Sequence, residues 1–290
     1  MKDWIFNFPF ELDINKSAID EAVRSFSTKY DGFFSVIRSF LLSFVDGVNN
    51  ILEFVPWFVW ILLVVLLSWR ISKKLSSGLL YGALLFVIGL LGLWNDMYLT
   101  LSIVIVSVII SLVIGFPLGL LIASSERANS IARPILDTMQ TMPVFVYLIP
   151  ALLFFGLGKP PAVIATTIYS IVPMIRLTSH GIRQIDEEVV EASISFGSTP
   201  MQSLVKVKIP QALPTIMTGV NQTIMMAMAM VVTTSMIGAT GLGMEVLISV
   251  NRVEIGRGLI SGTAVVIIAV ILDRLTQGLA KSNEVISDGE

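Results

Sequence analysis

Residues 99–123 read LTLSIVIVSVIISLVIGFPLGLLIA, a run without a single charged side chain. The core of a bilayer needs about 20 consecutive apolar residues per helix, so this run predicts a membrane-spanning helix. The rest of the chain agrees. Of its 290 residues, 54% are hydrophobic and only 14% are charged, and the mean hydropathy is +0.84. A soluble domain needs more charge to cover its surface, so the sequence predicts an all-α polytopic membrane protein.

Apolar segments recur along the whole chain and predict about seven transmembrane helices. They cover residues 54–69, 78–94, 99–123, 135–157, 162–175, 213–237 and 259–275. We interpret residues 54–94 as two accessory helices and residues 95–280 as a five-helix core. Residues 1–53 then form an extracellular N-terminal region, and residues 281–290 form a cytoplasmic tail.

The N-terminal region contains one amphipathic segment, residues 33–48. Its apolar side chains share one helical face: Phe33, Ile37, Phe40, Leu41 and Phe44. Such a helix either lies in the membrane interface or packs against the other helices, and the pattern leaves both alternatives open. The first residues lack a basic region followed by an apolar core, so we expect no cleaved signal peptide.

Lysine and arginine are concentrated in one set of connections, which predicts the orientation of the chain. That set holds Arg70, Lys73, Lys74, Arg127, Arg133, Arg176, Arg183, Lys206 and Lys208, followed by Arg274 and Lys281 after the last segment. The opposite connections hold only Lys159, Arg252 and Arg257. We therefore expect a cytoplasmic C-terminus and an N-terminus outside the cell.

Several kinds of chemistry are absent from the sequence. Without cysteine, the chain has no disulfide, thiolate zinc site or cysteine nucleophile. A net charge of −2 argues against a nucleic-acid partner. No Gly-x-x-x-x-Gly-Lys-Ser/Thr motif occurs, and no acid–base or metal cluster is evident, so we expect a non-enzyme without a cofactor. The single histidine, His180, reads as a solvated or packing residue.

The connection over residues 176–212 has the pattern of a helical hairpin. DEEVVEASISF (186–196) favours a helix whose acidic start suits the helix dipole, and Gly197 suits the left-handed residue that ends it. Ser198-Thr199-Pro200 reads as a cap and first-turn proline of a second helix, which we expect Pro210 to stop. An ordinary amphipathic connector is the alternative.

This connection resembles the coupling loop of permeases from ABC importers. That loop carries Glu-Ala-Ala, a glycine four residues later, and a terminal Ile-x-Leu-Pro. Here these elements correspond to Glu191-Ala192-Ser193, Gly197 and Val207-Lys208-Ile209-Pro210, with Pro200 opening the second helix. The resemblance implies that a separate ATPase subunit, which binds ATP and Mg²⁺, grips this loop. It further implies a second permease copy and an extracellular substrate-binding protein or domain.

Within that family, the chain is most similar to permeases for glycine betaine and other quaternary ammonium osmoprotectants. The stretches that carry this similarity are residues 136–158 (LDTMQTMPVFVYLIPALLFFGLG), 219–232, 238–246 and 265–277. The resemblance implies a type I importer core like that of methionine permeases. It also implies an osmoregulatory cargo. Permeases for methionine or phosphonate share the core, and they remain the alternative for the solute.

Polar and aromatic residues within the predicted helices suggest a substrate path. Polar groups in a membrane helix tend to face the bundle or a pathway, and prolines free carbonyl groups there. The candidates are Gln140, Thr141, Pro143, Phe145, Tyr147, Asn221 and Gln222. Aromatic faces at Phe145, Tyr147, Phe154 and Phe155 could bind a quaternary ammonium group, or the rings could simply pack. Asn221 and Gln222 either line the path or join helices.

Two further features lie near the ends of the last predicted helices. The glycines of GATGLG, Gly238, Gly241 and Gly243, suit a tight turn or re-entrant segment at an outer gate, with a flexible loop as the alternative. Asp273 and Arg274 favour a structural role over ion coupling. A secondary transporter or intramembrane enzyme would be expected to show internal repeats, buried charges or a catalytic cluster, and none is evident here.

Overall fold

A computed structural model describes residues 15–287, with side-chain environments for residues 15–278. Predicted features in residues 1–14 and 288–290 lie outside this range. The described chain is helical and contains no strand. Its helices are α1 (Lys16–Lys29), α2 (Asp31–Phe54), α3 (Trp57–Ser72), α4 (Leu75–Leu90), α5 (Trp94–Ala123), α6 (Glu126–Thr141), α7 (Phe145–Phe155), α8 (Lys159–Arg183), α9 (Glu187–Ser195), α10 (Pro200–Ser203), α11 (Ile209–Ala229), α12 (Val231–Ser235), α13 (Leu242–Arg252) and α14 (Ile255–Ser287), with a π-helical turn (Leu204–Lys208) between α10 and α11.

Four helical segments of the described chain are long and apolar enough to cross a membrane: Trp94–Ala123, Lys159–Arg183, Pro200–Ser235 and Ile255–Gly278. Two bent pairs raise the number to six: α2 with α3, at 91°, and α6 with α7, at 89°. The all-helical membrane fold is thus confirmed, with four to six candidate spans rather than seven. The prediction counted α3 and α4 as one span each. Each has 16 residues, or about 24 Å, less than the roughly 30 Å of a hydrocarbon core.

The centre of the molecule is formed by α5, α8 and α11, which pack closely through small residues. A Cβ added to Gly119 of α5 would lie 2.6 Å from the Thr178 Cβ and 2.9 Å from the Ile175 carbonyl oxygen of α8. About two turns earlier in both helices, the buried hydroxyls of Ser111 in α5 and Ser170 in α8 lie 3.0 Å apart. Small residues and interhelical hydrogen bonds are the usual means by which helices associate in lipid.

Helix α2 packs on α5 and α8, as one of the two alternatives for residues 33–48 expected. Its buried side chains are Leu41, Val45, Asn49 and Leu52, whereas Phe33 and Phe40 of the predicted apolar face are each 63% exposed. At its middle, Asp46 accepts a 2.6 Å hydrogen bond from the ammonium group of Lys159, the first residue of α8. Of the predicted face, Leu41 is buried and Ile37 and Phe44 pack beside it, so the contacted face overlaps the predicted one.

The predicted fourth span, residues 135–157, is not one helix. It is divided between α6 and α7, which meet at 89° around Pro143. Proline disfavours a helical conformation in the residue before it, and Met142 is extended with ψ 129°. The helix before the break, α6, begins at Glu126 and not at the predicted residue 135. Its first half is polar and lies outside the predicted span.

The predicted fifth span, residues 162–175, was too short. Helix α8 continues to Arg183, so the first part of the 176–212 connection is helix rather than loop. Hydropathy falls at Arg176, Thr178 and Ser179, and this fall misled the prediction. In the structure, Thr178 and Ser179 are buried between helices.

Pro210 does not stop a helix, contrary to the prediction. The chain is continuously helical from Pro200 to Ser235. A π-helical turn precedes the proline, and the Ile209 N–H donates to the carbonyl of Leu204, five residues earlier. Pro210 then lies in the first turn of α11, where a missing N–H is tolerated. The π-turn contains one more residue per hydrogen-bonded turn than an α-helix. The chain therefore stays helical at Pro210, where a proline would otherwise end or kink the helix.

Candidate functional site: a projecting hairpin and a polar helix face

The first helix of the hairpin, α9, is capped at both ends by its own sequence. Asp186 accepts a 3.0 Å hydrogen bond from the N–H of Glu188. At the other end the Gly197 N–H donates to Ile194 (2.8 Å), and the Ser198 N–H donates to Ser193 (3.1 Å). This pair of bonds is a Schellman motif. Gly197 has φ +84°, so the left-handed conformation predicted for it is confirmed.

The second arm begins with a capping box. The Thr199 hydroxyl accepts from the Gln202 N–H (3.3 Å), and the Gln202 side chain accepts from the Thr199 N–H (2.9 Å). Pro200 occupies the first helical position, which suits its fixed φ. The two arms therefore meet at a turn in which nearby residues provide the capping hydrogen bonds of both helix ends.

A pair of serines joins the two arms, and sequence reasoning missed it. The hydroxyl oxygens of Ser193 and Ser203 lie 2.9 Å apart, and Ser203 is only 2% exposed. Ser193 also donates to the Val190 carbonyl, at 2.8 Å, so Ser203 is the donor within the pair. Ser193 occupies the position of the second alanine in the Glu-Ala-Ala element, where the sequence predicts only a small residue. A second serine ten residues later was the available signal.

The tip of the hairpin exposes large apolar side chains. Phe196 is 92% exposed and Met201 67%, and Ile194 and Val205 are also exposed. Glu191, Ala192 and Pro200 are exposed beside them. The loop pattern described above does not include Phe196 or Met201. Their sequence signal is the presence of large apolar residues in a mostly polar connection. Exposed apolar clusters occur at surfaces that contact other proteins, membranes or ligands, which makes the tip a candidate contact surface.

The base of the hairpin is anchored in the helical core. Val207 and Ile209 are half-buried, and Ile209 packs with Leu204 against a cluster that includes Ile182 and Ala212. Pro210 is exposed next to them. The hairpin is thus an exposed, capped tip on a rigid base that belongs to α8 and α11.

A polar helix face lies on α6. Leu136 of α6 is buried against Ile171, Val172 and Ile175 in α8, so this part of α6 lies beside a buried, apolar stretch of a candidate span. Two ion pairs join the same helices, Asp137 with Arg176 and Glu126 with Arg183. Other polar side chains of α6, Thr138, Gln140 and Thr141, are exposed, and Asp137 stays partly exposed beside Arg176.

The predicted aromatic residues all lie on α7, after the break, but they have two kinds of surroundings. Pro143 is exposed at the break and Phe145 is 49% exposed. Tyr147 is half-buried, and its buried hydroxyl makes no hydrogen bond. Phe154, by contrast, stacks on Phe34 of α2 with ring centroids 4.8 Å apart, and Phe155 packs edge-on against the same ring at 5.4 Å. Phe154 and Phe155 therefore have the packing role that was the alternative for them.

Asn221 and Gln222 have different surroundings. Asn221 donates to the Asp273 carboxylate (3.0 Å) and accepts from Thr276, which joins α11 to α14. Gln277 also donates to Asp273, at 2.7 Å, whereas Arg274 reaches it only at 3.9 Å. Gln222 is exposed. The structure thus places Asn221 in an interhelical contact and leaves Gln222 on an open surface.

The glycine-rich segment forms a tight turn packed against α5. Gly238 and Gly241 have φ of +89° and +114°. A Cβ on Gly241 would lie 2.5 Å from the Thr100 hydroxyl, and that hydroxyl accepts from the Leu242 N–H at 2.9 Å. Gly243 lies within α13, where a Cβ would approach the Val231 carbonyl oxygen to 2.3 Å. The turn leads directly into α13, which packs on α14.

The family is decided by comparison with known sequences. The sequence pattern described as "Binding-protein-dependent transport system inner membrane component" matches residues 115–284, more than half of the chain. The chain belongs to this family. It is therefore an inner-membrane permease component of a transport system that works with a binding protein, as the hairpin predicted. Within the described residues, no group of three potential metal ligands occurs.

Permeases of several bacteria are similar to this chain along most of its length. It is 47% identical to the glycine betaine/carnitine transport permease protein GbuB of Listeria monocytogenes serotype 1/2a (strain 10403S), over 91% of this chain and 95% of the relative. It is 44% identical to the glycine betaine transport system permease protein OpuAB of Bacillus subtilis (strain 168), over 90% and 92%. It is 41% identical to the glycine betaine/proline betaine transport system permease protein ProW of Escherichia coli (strain K12), over 92% and 75%.

Solved structures confirm the core fold. A chain of the MetNI methionine ABC transporter, in an inward-facing conformation, superposes with a TM-score of 0.59. The superposition covers 66% of this permease and 95% of that chain, at 22% sequence identity. At this identity the likeness concerns the fold alone. The predicted core like that of methionine permeases is confirmed.

Proposed function

We propose that this chain is the permease subunit of an ATP-driven importer for glycine betaine or a related quaternary ammonium osmoprotectant. The observation that carries this proposal is the similarity to three permeases named for glycine betaine, each aligned over at least 90% of this chain. The proline- and aromatic-rich stretch at residues 136–158 supports the same cargo. Uptake of such a solute serves osmoregulation.

The ATPase is a separate subunit that docks on the hairpin. The exposed tip around Phe196 and Met201 supports this role, because a clustered apolar surface on a rigid element is suited to fill a groove on a partner. Ala192 and Gly197 add little bulk beside it. ATP and Mg²⁺ are bound by the ATPase, and this chain contributes no catalytic group.

In the proposed orientation the hairpin and the C-terminus are cytoplasmic, and the N-terminal region is outside. The distribution of Lys and Arg supports this arrangement. The glycine turn at Gly238–Gly243 then lies at the outer side, where it contributes to an outer gate. The substrate-binding protein or domain docks on that outer side.

Two copies of the chain enclose the path. The exposed polar face of α6 supports this arrangement, because polar side chains at membrane depth are found facing the protein interior or a water-filled cavity. In a single chain Asp137, Thr138 and Thr141 face outward. A second copy related by a two-fold axis places both polar faces around one aqueous path.

Phe145 and Tyr147 remain the aromatic candidates for contact with the quaternary ammonium group in that path, beside Gln140, Thr141 and Pro143. Gln222 is a further polar candidate. Asn221 is the weakest of the predicted path residues, because its amide group is already engaged with Asp273 and Thr276.

Transport is coupled mechanically to ATP. When the ATPase subunits close they move both hairpins, and the anchored bases transmit this movement to α8 and α11. Because α8 is paired with α6 through two ion pairs, the movement reaches the polar faces that enclose the path. The path then switches between inward- and outward-facing states.

The test of the cargo is uptake by proteoliposomes that contain the permease, its ATPase and the binding protein. Labelled glycine betaine, carnitine, choline, proline and methionine are compared at equal concentrations. We expect preference for glycine betaine or carnitine. A preference for methionine, or for phosphonate in a parallel assay, contradicts the assigned cargo and leaves the ABC permease role intact. Uptake without the ATPase would favour a secondary transporter.

A further inference from the structure

A basic cleft lies between α6 and α8, beside the base of the hairpin. It has a volume of about 260 Å³ and also touches Ile122 at the end of α5. Its polar lining consists of Asn129, Arg133, Arg176, Ser179, His180 and Arg183. Three arginines and a histidine thus converge on one concave surface.

The acids near this cleft do not neutralise it. Asp137 pairs with Arg176, and Glu126 pairs with Arg183. Arg133 makes no ion pair or side-chain hydrogen bond with any residue in the part of the chain that the structure describes. Counting the three arginines and these two acids, the cleft carries one excess positive charge.

One hydrogen-bond donor in the cleft is buried without a partner. The Nη2 atom of Arg176 reaches Asp137, but its Nε atom is buried and makes no hydrogen bond. A buried polar group without a partner is costly, and such groups usually bind a ligand or an ordered water. Arginine side chains present a planar fork of donors that matches the geometry of a phosphate group.

We propose that this cleft binds a phosphate-type oxyanion, held by Arg133 and the unpaired Nε–H of Arg176, with Ser179 and His180 as further donors. A phosphate group has more acceptor oxygens than a carboxylate, so it can accept hydrogen bonds from more of these donors at once. Basic pockets between membrane helices on the cytoplasmic side bind anionic lipid headgroups. An anionic phospholipid and a free phosphate are two sources of the same chemistry.

The experiment uses the permease purified with its ATPase and stripped of lipid in neutral detergent. The midpoint of thermal unfolding is measured against rising concentrations of phosphatidylglycerol, phosphatidylcholine and inorganic phosphate. The test variant is Arg133→Gln, because the side chain has no structural partner to lose. The matched control is Arg127→Gln, on the same helix and also exposed, but outside the cleft lining.

We expect phosphatidylglycerol or inorganic phosphate to raise the unfolding midpoint, and Arg133→Gln to raise the half-saturating concentration about tenfold. Arg127→Gln should leave it unchanged. A response to phosphatidylglycerol alone assigns the site to a lipid headgroup, and an equal response to phosphate assigns it to a free oxyanion. If Arg133→Gln cannot be purified, Arg133→Lys should give a smaller increase. No stabilisation, equal stabilisation by phosphatidylcholine, or equal effects of the two glutamine variants overturns the proposal.

Discussion

At the scale of single residues, the hairpin depends on positions where the backbone permits little choice. Gly197 ends α9 with φ +84°, and a Cβ there would meet no neighbouring atom within 4 Å. The constraint is therefore conformational rather than steric. A residue with a side chain can occupy this position only in a strained left-handed conformation, which costs about 1–2 kcal/mol.

The variant Gly197→Ala should consequently weaken binding of the ATPase roughly tenfold, if the partner recognises the hairpin in this shape. The dissociation constant of purified permease and ATPase measures the effect. Gly262→Ala is the matched control, because Gly262 lies within α14 with open space around it and an ordinary φ. Equal affinity of Gly197→Ala and wild type would show that the turn conformation does not matter for docking.

The pair Ser193 and Ser203 should be coupled in energy. Loss of either hydroxyl removes the contact between the arms, and we expect each alanine substitution to cost about 1 kcal/mol of hairpin stability. The double variant Ser193→Ala/Ser203→Ala should cost less than the sum of the two. Amide hydrogen exchange of α9 reports the stability. Strictly additive effects would mean that the hydroxyls act independently.

At the scale of elements, signals confined to a few neighbouring residues predicted the structure well. The acidic helix start at residues 186–188, the Gly197 turn and the Pro200 start all lie where the sequence predicted them, because each depends on interactions within its own helix end. The apolar run at residues 99–123 likewise lies within α5, since uninterrupted hydrophobicity favours a helix whatever its neighbours.

Features that depend on distant contacts were not predictable. Helix α8 continues past the end of its apolar run because Arg176 and Arg183 pair with acids on α6. The turn between α6 and α7 and the π-turn before Pro210 depend on how those segments pack. Pro143 and Pro210 are local signals for an irregularity, but neither determines whether the chain bends, continues or ends there.

The contact between α11 and α14 gives a prediction at this scale. Asn221→Ala removes a donor from the Asp273 carboxylate, which is only 19% exposed, and should lower the free energy of unfolding by about 1–3 kcal/mol. Thermal unfolding in detergent measures this effect. The adjacent exposed residue provides the control, and Gln222→Ala should change the unfolding midpoint little. The reverse order would refute the assignment of Asn221 to the interface.

At the scale of the whole molecule, the open polar face of α6 predicts how two copies meet. The chain contains no cysteine, so a single introduced cysteine reports on one position without background. Thr138→Cys should form a cross-link between two permeases in membranes treated with a short bifunctional thiol reagent. Leu63→Cys, 40% exposed on α3, should not. Cross-linking at Leu63 but not at Thr138 would place the interface on the accessory helices.

The assembled importer also shows why the cargo is harder to predict than the role. The proposed coupling hairpin is a contiguous stretch of sequence, so its pattern predicted the family that the comparisons then showed. The proposed path, by contrast, would be built from exposed residues of separate helices, such as Gln140 and Phe145, and from a second copy of the chain. Sequence and comparison therefore decide the class of transporter more firmly than the contacts of its solute.

The most direct test of the central claim compares ATP-driven uptake of labelled glycine betaine by proteoliposomes containing wild type, Phe196→Ala or Phe54→Ala, each with the ATPase and binding protein. Phe54 is a matched control because it is 89% exposed at the end of α2. We predict that uptake requires ATP and the ATPase and that Phe196→Ala lowers it at least tenfold, as loss of an apolar interface anchor worth about 2 kcal/mol implies. Phe54→Ala should transport normally. Uptake that continues without the ATPase, or that is unaffected by Phe196→Ala, would contradict the account.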